Sequence, residues 1–321
     1  MKKFSILNLT VAFAAISTLL SYSIAGHAQT TRLRVSIIPI VDVAPLFAAI
    51  KQGYFAEQGL EIDTTPIVGG AAGIPGAIAG VYDVVYTNIV STLLAKNEGL
   101  ELRIVASGSP SGVTPPDTAG LIKRRADGFR TGADLNGKVI GVNARNNINW
   151  LFAAAWIKKT GGDASKVQYR EVPFPQMVDA VKTRQVDVAH AVEPFLANGL
   201  RDPAVDLLGW PFSTVLPGIR AAQWIVSAET ASKRSEVVRR WMRAMRKGAD
   251  WLNANNGKDP FYALIAEYSK LDPARLKAML LRDITVENDV PAMRALAGLM
   301  VEHGMMKQVF DPASMVFDTP R

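Results

Sequence analysis

Short apolar strand patterns alternate with helix patterns in two separate series along this chain of 321 residues. A break rich in serine and proline, at 107–117, separates the two series. In the first series the strand patterns lie at 33–39, 60–67, 81–88 and 102–108. Because strands that alternate with helices usually form parallel sheets with both faces covered, this order predicts an α/β fold with two parallel sheets.

The second series continues beyond the break and ends in a purely helical segment. Its strand patterns lie at 120–123, 139–142, 166–172, 186–194 and 204–210, followed by one more at 218–229. Of the helices that close the chain, the clearest is expected at 235–253, with Val238, Trp241, Met242, Met245 and Leu252 on its buried face.

This order predicts two lobes, with residues 29–118 and 218–321 in lobe 1 and 119–217 in lobe 2. A weak internal repeat supports two similar lobes, because Asp83 and Asp187 both precede an apolar strand and follow a small-residue helix. Two chain crossings form a hinge, and the cleft between two open sheets lies at the carboxyl ends of their strands.

The first 28 residues have the pattern of a secretory signal peptide. Lys2 and Lys3 precede an uncharged apolar stretch at 6–25, and Gly26-His27-Ala28 offers a cleavage site between small residues. A membrane anchor is the alternative for a stretch of this length, but its Ser, Thr and Asn residues favour cleavage. We therefore expect a periplasmic protein. Since the chain has no cysteine, a lipid anchor is excluded.

Composition excludes several classes of chemistry. Without cysteine there are no disulfides, thiol nucleophiles or thiolate metal sites. Only His190 and His303 remain after the signal, too few for a histidine-rich metal site or a histidine-based triad, so we expect no cofactor and no metal. Loss of the two signal lysines lowers the net charge from +7 to +5. The remaining basic residues are spread along the chain, and we expect no nucleic-acid partner.

Five segments, in this order, resemble the periplasmic solute-binding proteins of ABC importers, in the group for sulfonates, taurine, nitrate and thiamine-pyrimidine precursors. The segments are PLFAAIKQGYFAEQGLEI, GAIAGVYDVVYTN, ADLNGKVIGV, MVDAVKTRQVDVAHAVEPF and RRWMRAMRKGADWLN. The resemblance implies the two-lobe periplasmic binding protein fold of type II, a small-molecule ligand, a membrane-embedded ABC permease as partner, and a monomer. Two departures concern ligand positions: Arg145-Asn146-Asn147 replaces Gly-Ser-Thr, and Val192 replaces Trp before Glu-Pro.

Two glycine- or amide-rich segments are candidate anion sites. Gly70 and Ala71, with Gly69, lie at a helix start where backbone N–H groups and the helix dipole favour an anion, although such small residues also serve tight packing. Arg145 offers a bidentate grip on a carboxylate or sulfonate, or else points into water. Asn146 and Asn147 either contact the ligand or cap the following helix.

The other candidates lie near strand ends. Thr87 and Asn88 end the third strand, and Asp42 lies near a helix start, where each contacts the ligand or serves as a cap. Phe174 lies at a strand end between prolines and suits a ligand with a flat ring. Glu193 precedes Pro194 at the end of a strand, where its carboxylate either faces the cleft or only fixes the hinge.

We therefore expect a binding protein that closes over a small organic anion, a sulfonate or carboxylate, with an aromatic ring as one option. A thiamine-type pyrimidine and nitrate are the alternatives. An enzyme on the same fold is a further alternative, but its known relatives depend on a cysteine nucleophile or on histidine and cysteine clusters, which this chain lacks.

Overall fold

The computed structural model of the protein describes residues 30–317, so the expected signal peptide lies outside the described residues. The strands form two five-stranded sheets with helices around them. The first sheet has the order β2-β1-β3-β10-β4 and the second has the order β7-β6-β8-β5-β9. The strands of the first sheet are β1 (Thr31–Ile37), β2 (Leu60–Pro66), β3 (Val84–Asn88), β4 (Leu102–Ser107) and β10 (Ala222–Ser227). Those of the second sheet are β5 (Ala119–Arg124), β6 (Val139–Val142), β7 (Gln168–Glu171), β8 (Val188–Val192) and β9 (Val205–Gly209).

The prediction of purely parallel sheets is wrong, because each sheet contains one antiparallel strand next to its centre. Strand β10 runs antiparallel between β3 and β4, and β5 runs antiparallel between β8 and β9. The remaining pairs, β1 with β2 and β3 and β6 with β7 and β8, are parallel. Both antiparallel strands follow directly on a crossing from the other sheet. The crossing segments themselves, at 108–118 and 216–221, contain no helix of the kind that connects two parallel strands.

Thirteen helices lie within the described residues, and most of them cover the faces of the sheets. They are α1 (Ala44–Lys51), α2 (Tyr54–Glu57), α3 (Gly70–Ile78), α4 (Ile89–Asn97), α5 (Ile148–Lys159), α6 (Met177–Lys182), α7 (Phe195–Leu200), α8 (Pro211–Val215), α9 (Ala228–Lys233), α10 (Ser235–Ala254), α11 (Asp259–Ser269), α12 (Pro273–Leu276) and α13 (Val290–Glu302). No helix in the described part of the chain is long and apolar enough to cross a membrane.

Helix α10 holds the C-terminal region against the first sheet. Val238, Trp241, Met245 and Leu252 are buried as predicted, whereas Met242 is only partly buried. The helix approaches α1 so closely that a Cβ atom on Gly248 would lie 2.2 Å from the carbonyl oxygen of Pro45. This contact explains a glycine in the middle of a long helix, where it otherwise costs about 1 kcal/mol relative to alanine.

Asp83 and Asp187, the pair from the internal repeat, make the same backbone contacts in the two sheets. The carboxylate of Asp83 accepts a hydrogen bond from the backbone N–H of Arg34 at 2.8 Å, and that of Asp187 accepts one from Val139 at 2.9 Å. Each aspartate also donates its own N–H to the carbonyl oxygen of the same partner, at 2.8 Å in both cases. The repeat in the sequence therefore corresponds to one local structure used twice.

The two crossings between the sheets lie side by side. Pro110 and Arg220 form an antiparallel bridge, and the N–H of Ser111 donates to the carbonyl oxygen of Ile219 at 2.8 Å. Asp117, fully buried, accepts hydrogen bonds from Gly112 N–H at 2.7 Å and from Ser213 N–H at 2.9 Å. The segment expected to be a linker is therefore fixed by specific hydrogen bonds.

We propose the lobe bounds given above for the two halves of the protein. Strands β1 to β4 lie within 29–118, β5 to β9 within 119–217, and β10 with the C-terminal helices within 218–321.

Candidate functional site

A cavity lies between the two sheets, at the carboxyl ends of β1, β3, β6 and β8. It contains about 590 Å³ of empty space, including open solvent at its mouth. The residues that line it come from strand ends, from the starts of α5 and α8, and from both crossings. They are Ile38, Ile40, Asp42, Tyr86, Thr87, Asn88, Ser109, Ser111, Thr118, Ala119, Asn143, Asn147, Ile148, Asn149, Phe174, Val192, Phe212, Ile219, Ala221 and Ala222. Both halves of the chain thus contribute to one cavity, as is usual for small-molecule sites between domains.

Half of the predicted site residues line this cavity, namely Asp42, Thr87, Asn88, Asn147 and Phe174. Thr87 and Phe174 are almost completely buried, and the hydroxyl of Thr87 has no hydrogen-bond partner among the described residues. A buried hydroxyl without a partner is unfavourable, so a ligand acceptor or donor at this position would stabilise it.

The two asparagines act as helix caps and also face the cavity. Asn88 Oδ1 accepts a hydrogen bond from the N–H of Ser91 at 3.0 Å, and Asn147 Oδ1 accepts one from Trp150 at 3.0 Å. Asn147 Nδ2 also donates to Asn143 Oδ1 at 2.8 Å. Capping fixes these side chains in one orientation. They therefore present preoriented amides at the cavity wall.

Asp42 is the only lining residue, among those the structure describes, that has a carboxylate or a basic group. Burial raises the pKa of Asp42 from 3.8 to about 6, and a hydrogen bond from its own backbone N–H opposes this rise only in part. The pKa of the neighbouring Tyr86 hydroxyl is raised well above its ordinary value, by burial and then by the charge of Asp42. Tyr86 therefore stays protonated at neutral pH.

Gly70 and Ala71 do not line the cavity. Gly70 packs against the end of β3, where a Cβ atom would lie 2.4 Å from Thr87 Oγ1 and 2.5 Å from Thr87 Cα. Ala71 is exposed. In this structure the small residues at the start of α3 allow the helix to approach β3.

Arg145 and Asn146 line a separate depression in the surface, together with Tyr169 and Glu171. The guanidinium of Arg145 donates to the carbonyl oxygen of Tyr169 at 2.6 Å, and its backbone N–H donates to Glu171 Oε1 at 2.8 Å. Asn146 adopts a left-handed backbone conformation with a φ of 52°, at the turn where the chain reverses towards α5. Of this loop triplet, only Asn147 lines the cavity between the sheets.

Glu193 lies in a neighbouring hollow that shares Asp42, Ser109 and Thr118 with the main cavity. Its carboxylate accepts hydrogen bonds from the N–H groups of Ala197 at 3.0 Å and Leu280 at 3.3 Å. Burial raises its pKa from 4.5 to about 7, and these two hydrogen bonds oppose the rise. Since Leu280 precedes α13 and Glu193 follows β8, the carboxylate connects the C-terminal region to the second sheet.

The sequence comparison identifies the family. Residues 40–258 match the family model described as NMT1/THI5 like, which is more than half of the chain. The chain belongs to the NMT1/THI5-like family. This confirms the resemblance inferred from the sequence motifs.

Relatives of this NMT1/THI5-like protein include named binding proteins. A putative ABC transporter periplasmic binding protein of Brachyspira hyodysenteriae is 22% identical over 268 residues, covering 79% of this chain and 75% of the relative. The formylaminopyrimidine-binding protein of Halalkalibacterium halodurans is 25% identical over 266 residues, covering 79% and 76%.

Solved structures confirm the expected fold of the family member. The alkanesulfonate-binding protein SsuA from Xanthomonas axonopodis pv. citri, bound to MOPS, superposes with a TM-score of 0.78 at 18% identity, covering 91% of this chain and 100% of that one. The periplasmic nitrate-binding protein NrtA from Synechocystis PCC 6803 gives 0.72 at 12% identity, covering 89% and 85%. At these identities the likeness shows the fold alone.

Several lining residues of the NMT1/THI5-like protein were not among the predicted ones. Tyr86 and Asn143 each lie one to four residues from a predicted site residue, at the same strand ends. Ser109, Ser111 and Thr118 belong to the first crossing, which the sequence presents only as a composition break. Polar residues in a segment that crosses between two lobes can be predicted to line the cleft, because such a segment borders it. Phe212 follows β9 in the short helix α8 and has no distinguishing pattern.

Proposed function

We propose that this protein is the solute-binding component of an ABC importer and that it captures a small organic molecule between its lobes. The observation on which this depends is one cavity lined by residues from both sheets and both crossings. The relatives named as periplasmic binding proteins support the same role. Export by the N-terminal signal, a monomeric state and a membrane-embedded permease as partner belong to this proposal.

The proposed ligand contacts are Asp42, Thr87, Asn88, Asn147 and Phe174, with Tyr86 and Asn143 added from the cavity wall. Gly70, Ala71, Arg145 and Asn146 are left out because they lie outside the cavity. Glu193 is proposed as a link between the lobes. A micromolar complex requires about −8 kcal/mol, which a few hydrogen bonds and the buried ring surface of the ligand are sufficient to provide.

Lobe closure follows from the side-by-side crossings. Rotation about the paired segments around Pro110 and Arg220 would move the two cavity walls apart and admit a ligand. A ligand that touches both walls stabilises the closed arrangement by its extra contacts there. No bond-making step is proposed. The chain has no cysteine, and residues 30–317 contain no cluster of three or more acids and histidines placed to hold a metal.

Thermal-shift screening of residues 29–321 tests the proposed function. The panel contains sulfonates, aromatic carboxylates, nitrate, taurine, amines and pyrimidines, which covers the expected organic anion and its alternatives. A ligand at one hundred times its Kd stabilises the folded state by about 2.7 kcal/mol, which is readily seen. Ala221→Leu, which places a larger side chain in the cavity, should keep the fold and lose the shift. If no compound shifts the parent protein, or if Ala221→Leu responds as the parent does, the proposal is wrong.

A further inference from the structure

We infer that Asp42 selects the ligand: the cavity accepts a flat molecule that donates an N–H group to the Asp42 carboxylate and rejects permanent anions such as sulfonates. This inference rests on the proposed function and narrows the ligand class. It departs from the organic anion expected from the sequence.

The first support is the charge of the cavity wall. Among the twenty described residues that line it, none is lysine, arginine or histidine, and one is an acid. The other polar groups are neutral hydroxyls and amides from Ser, Thr, Asn and Tyr. An anion in this space would face a carboxylate without any cation to compensate it.

The second support is that no other protein group donates to the carboxylate of Asp42. Within residues 30–317 its side chain receives a hydrogen bond only from its own backbone N–H. Gly108 passes next to it, because a Cβ atom there would lie 2.9 Å from Asp42 Oδ1. A half-buried carboxylate with so few donors is costly to keep ionised, and a ligand N–H would provide the missing donor.

The basic groups behind the cavity are engaged elsewhere. Arg220 donates to the carbonyl oxygen of Gly108 at 3.2 Å and pairs with Asp289 at 3.5 Å. Arg282 lines the neighbouring hollow and donates to the carbonyl oxygen of Pro116 at 2.7 Å. His190 is buried, which lowers its pKa to about 4, so its ring is neutral at pH 7. None of these groups supplies a positive charge to the cavity wall.

The third support is the shape and polarity of the remaining wall. Phe174 and Phe212 line the cavity and are buried, and Phe212 is held edge-to-face against Phe152 with the ring centroids 4.8 Å apart. Asn143 and Asn147 offer amides that can both donate and accept further hydrogen bonds, whereas Asn88, whose oxygen already accepts two, can only donate. Aromatic faces beside amides and one carboxylate suit a nitrogen-containing ring, an aromatic amine or an amidine.

Three flat probes of similar size test the inference by calorimetry: benzamidine, which is a cation, 4-aminopyrimidine, which is neutral, and benzenesulfonate, which is an anion. The parent protein should bind benzamidine or 4-aminopyrimidine at least tenfold more tightly than benzenesulfonate. Asp42→Asn keeps the shape of the side chain but loses its charge. It should lower the affinity for the preferred probe at least tenfold and raise the affinity for benzenesulfonate. Asp63→Asn, which removes an exposed acid of the first sheet, should leave all three affinities unchanged.

Two outcomes with these three probes would overturn the inference. One is tighter binding of benzenesulfonate by the parent, and the other is an unchanged ranking of the probes in Asp42→Asn. Binding of aliphatic sulfonates or nitrate from the wider panel, with neither N–H probe bound, would also overturn it but would leave the proposed function intact. The proposed function fails only if the whole panel fails or if Ala221→Leu responds as the parent does. If Asp42→Asn does not fold, the ranking in the parent alone decides.

Discussion

The side-chain oxygen of Asn88 accepts hydrogen bonds from both Ser91 and Ile148, whose backbone nitrogens lie at 3.0 and 3.3 Å. Asn88 ends strand β3 of the first sheet, and Ile148 begins helix α5, which packs on the second sheet. One amide thus caps a helix in its own half of the protein and holds the start of a helix in the other half. Asn88 and Ile148 both line the cavity.

Replacement of Asn88 by alanine should therefore reduce both stability and ligand binding. Loss of the cap and of the link to Ile148 is expected to lower the free energy of unfolding by about 1–2 kcal/mol, measured by urea denaturation. Ser227→Ala is the matched control, because Ser227 caps α9 through Thr230 at 3.0 Å and does not line the cavity. It should lose a similar stability and keep full affinity. Equal affinities of the two variants would contradict the assignment of Asn88 to the site.

Gly70→Ala should destabilise the protein, because the added methyl group meets the backbone of Thr87, which has no room to move within the sheet. We expect a loss of about 1–3 kcal/mol in the free energy of unfolding. Gly298→Ala is the control: Gly298 lies exposed in α13 with no atom within 4 Å of a Cβ, so alanine should stabilise by about 0.5–1 kcal/mol. A neutral Gly70→Ala would show that α3 does not rest on β3 in this way.

In the loop before α5, Asn147 should contribute to ligand binding, whereas Arg145 and Asn146 should not. Asn147→Ala removes a cap and a cavity amide, and should cost about 1–2 kcal/mol of stability together with affinity for any bound solute. Arg145→Ala combined with Asn146→Gly should change affinity less than twofold, since both residues lie in the separate depression and glycine suits the φ of Asn146. A large loss of affinity in the double variant would restore Arg145 as a ligand contact.

Glu193 should make stability depend on pH between about 4.5 and 7. Its folded pKa lies above the ordinary 4.5, so the folded protein keeps a proton that the unfolded chain has already released. The stabilisation is complete below pH 4.5 and is lost as the pH rises through 7. Surface acids such as Asp202, whose pKa is lowered by a hydrogen bond from Lys182, have the opposite effect on stability. Their contribution is lost only when the pH falls below the ordinary pKa of the carboxyl group.

Urea denaturation at pH 5, 6, 7 and 8 measures this dependence. Glu193→Gln should reduce the fall in stability over this range without abolishing it, because Asp42, with its pKa raised to about 6, also contributes to the fall. Glu229→Gln, which alters an exposed acid paired with Lys233, should retain the full fall. Identical pH profiles for the parent and Glu193→Gln would contradict the burial of a titrating carboxyl at this position.

Binding of benzamidine should weaken as the pH falls. The probe stays protonated throughout, so the change reports Asp42, whose pKa near 6 means that its carboxylate becomes neutral between pH 7 and 5. The affinity at pH 5 should be about tenfold lower than at pH 7. The titratable groups nearest to Asp42 are Tyr86 and Tyr268, which do not titrate in this range, and Glu193 in the adjoining hollow. Asp42→Asn should abolish the pH effect, and Glu193→Gln should preserve it.

The sequence predicts the two-lobe α/β fold because periodicity and small-residue turns are local properties of each segment. It also locates the carboxyl ends of the strands, which is why Thr87, Asn88, Asn147 and Phe174 were found to line the cavity. The direction of β5 and β10 was missed because strand patterns contain no information about direction, which depends on where the chain crosses between sheets.

The direction of side chains in loops is the second feature that the sequence does not predict. Asn146 turns through a left-handed conformation, and Arg145 beside it faces the outer edge strand β7 in place of the cleft. Residue type alone suggested an arginine grip at this position. The charge of the cavity could not be predicted either, since it depends on which basic residues lie close to Asp42, and none of those at 30–317 lines the cavity.

Strand β10 comes after all the strands of the second sheet in the sequence, so the first sheet is the last to be completed during synthesis. All strands of the second sheet are encoded between residues 119 and 209, whereas the first sheet lacks an inner strand until residue 227 has left the ribosome. Until then β3 and β4 have unpaired edges, and exposed edges of this kind invite wrong partners. The half of the protein that begins first is thus completed last, and the edges of its inner strands stay open until β10 pairs with them.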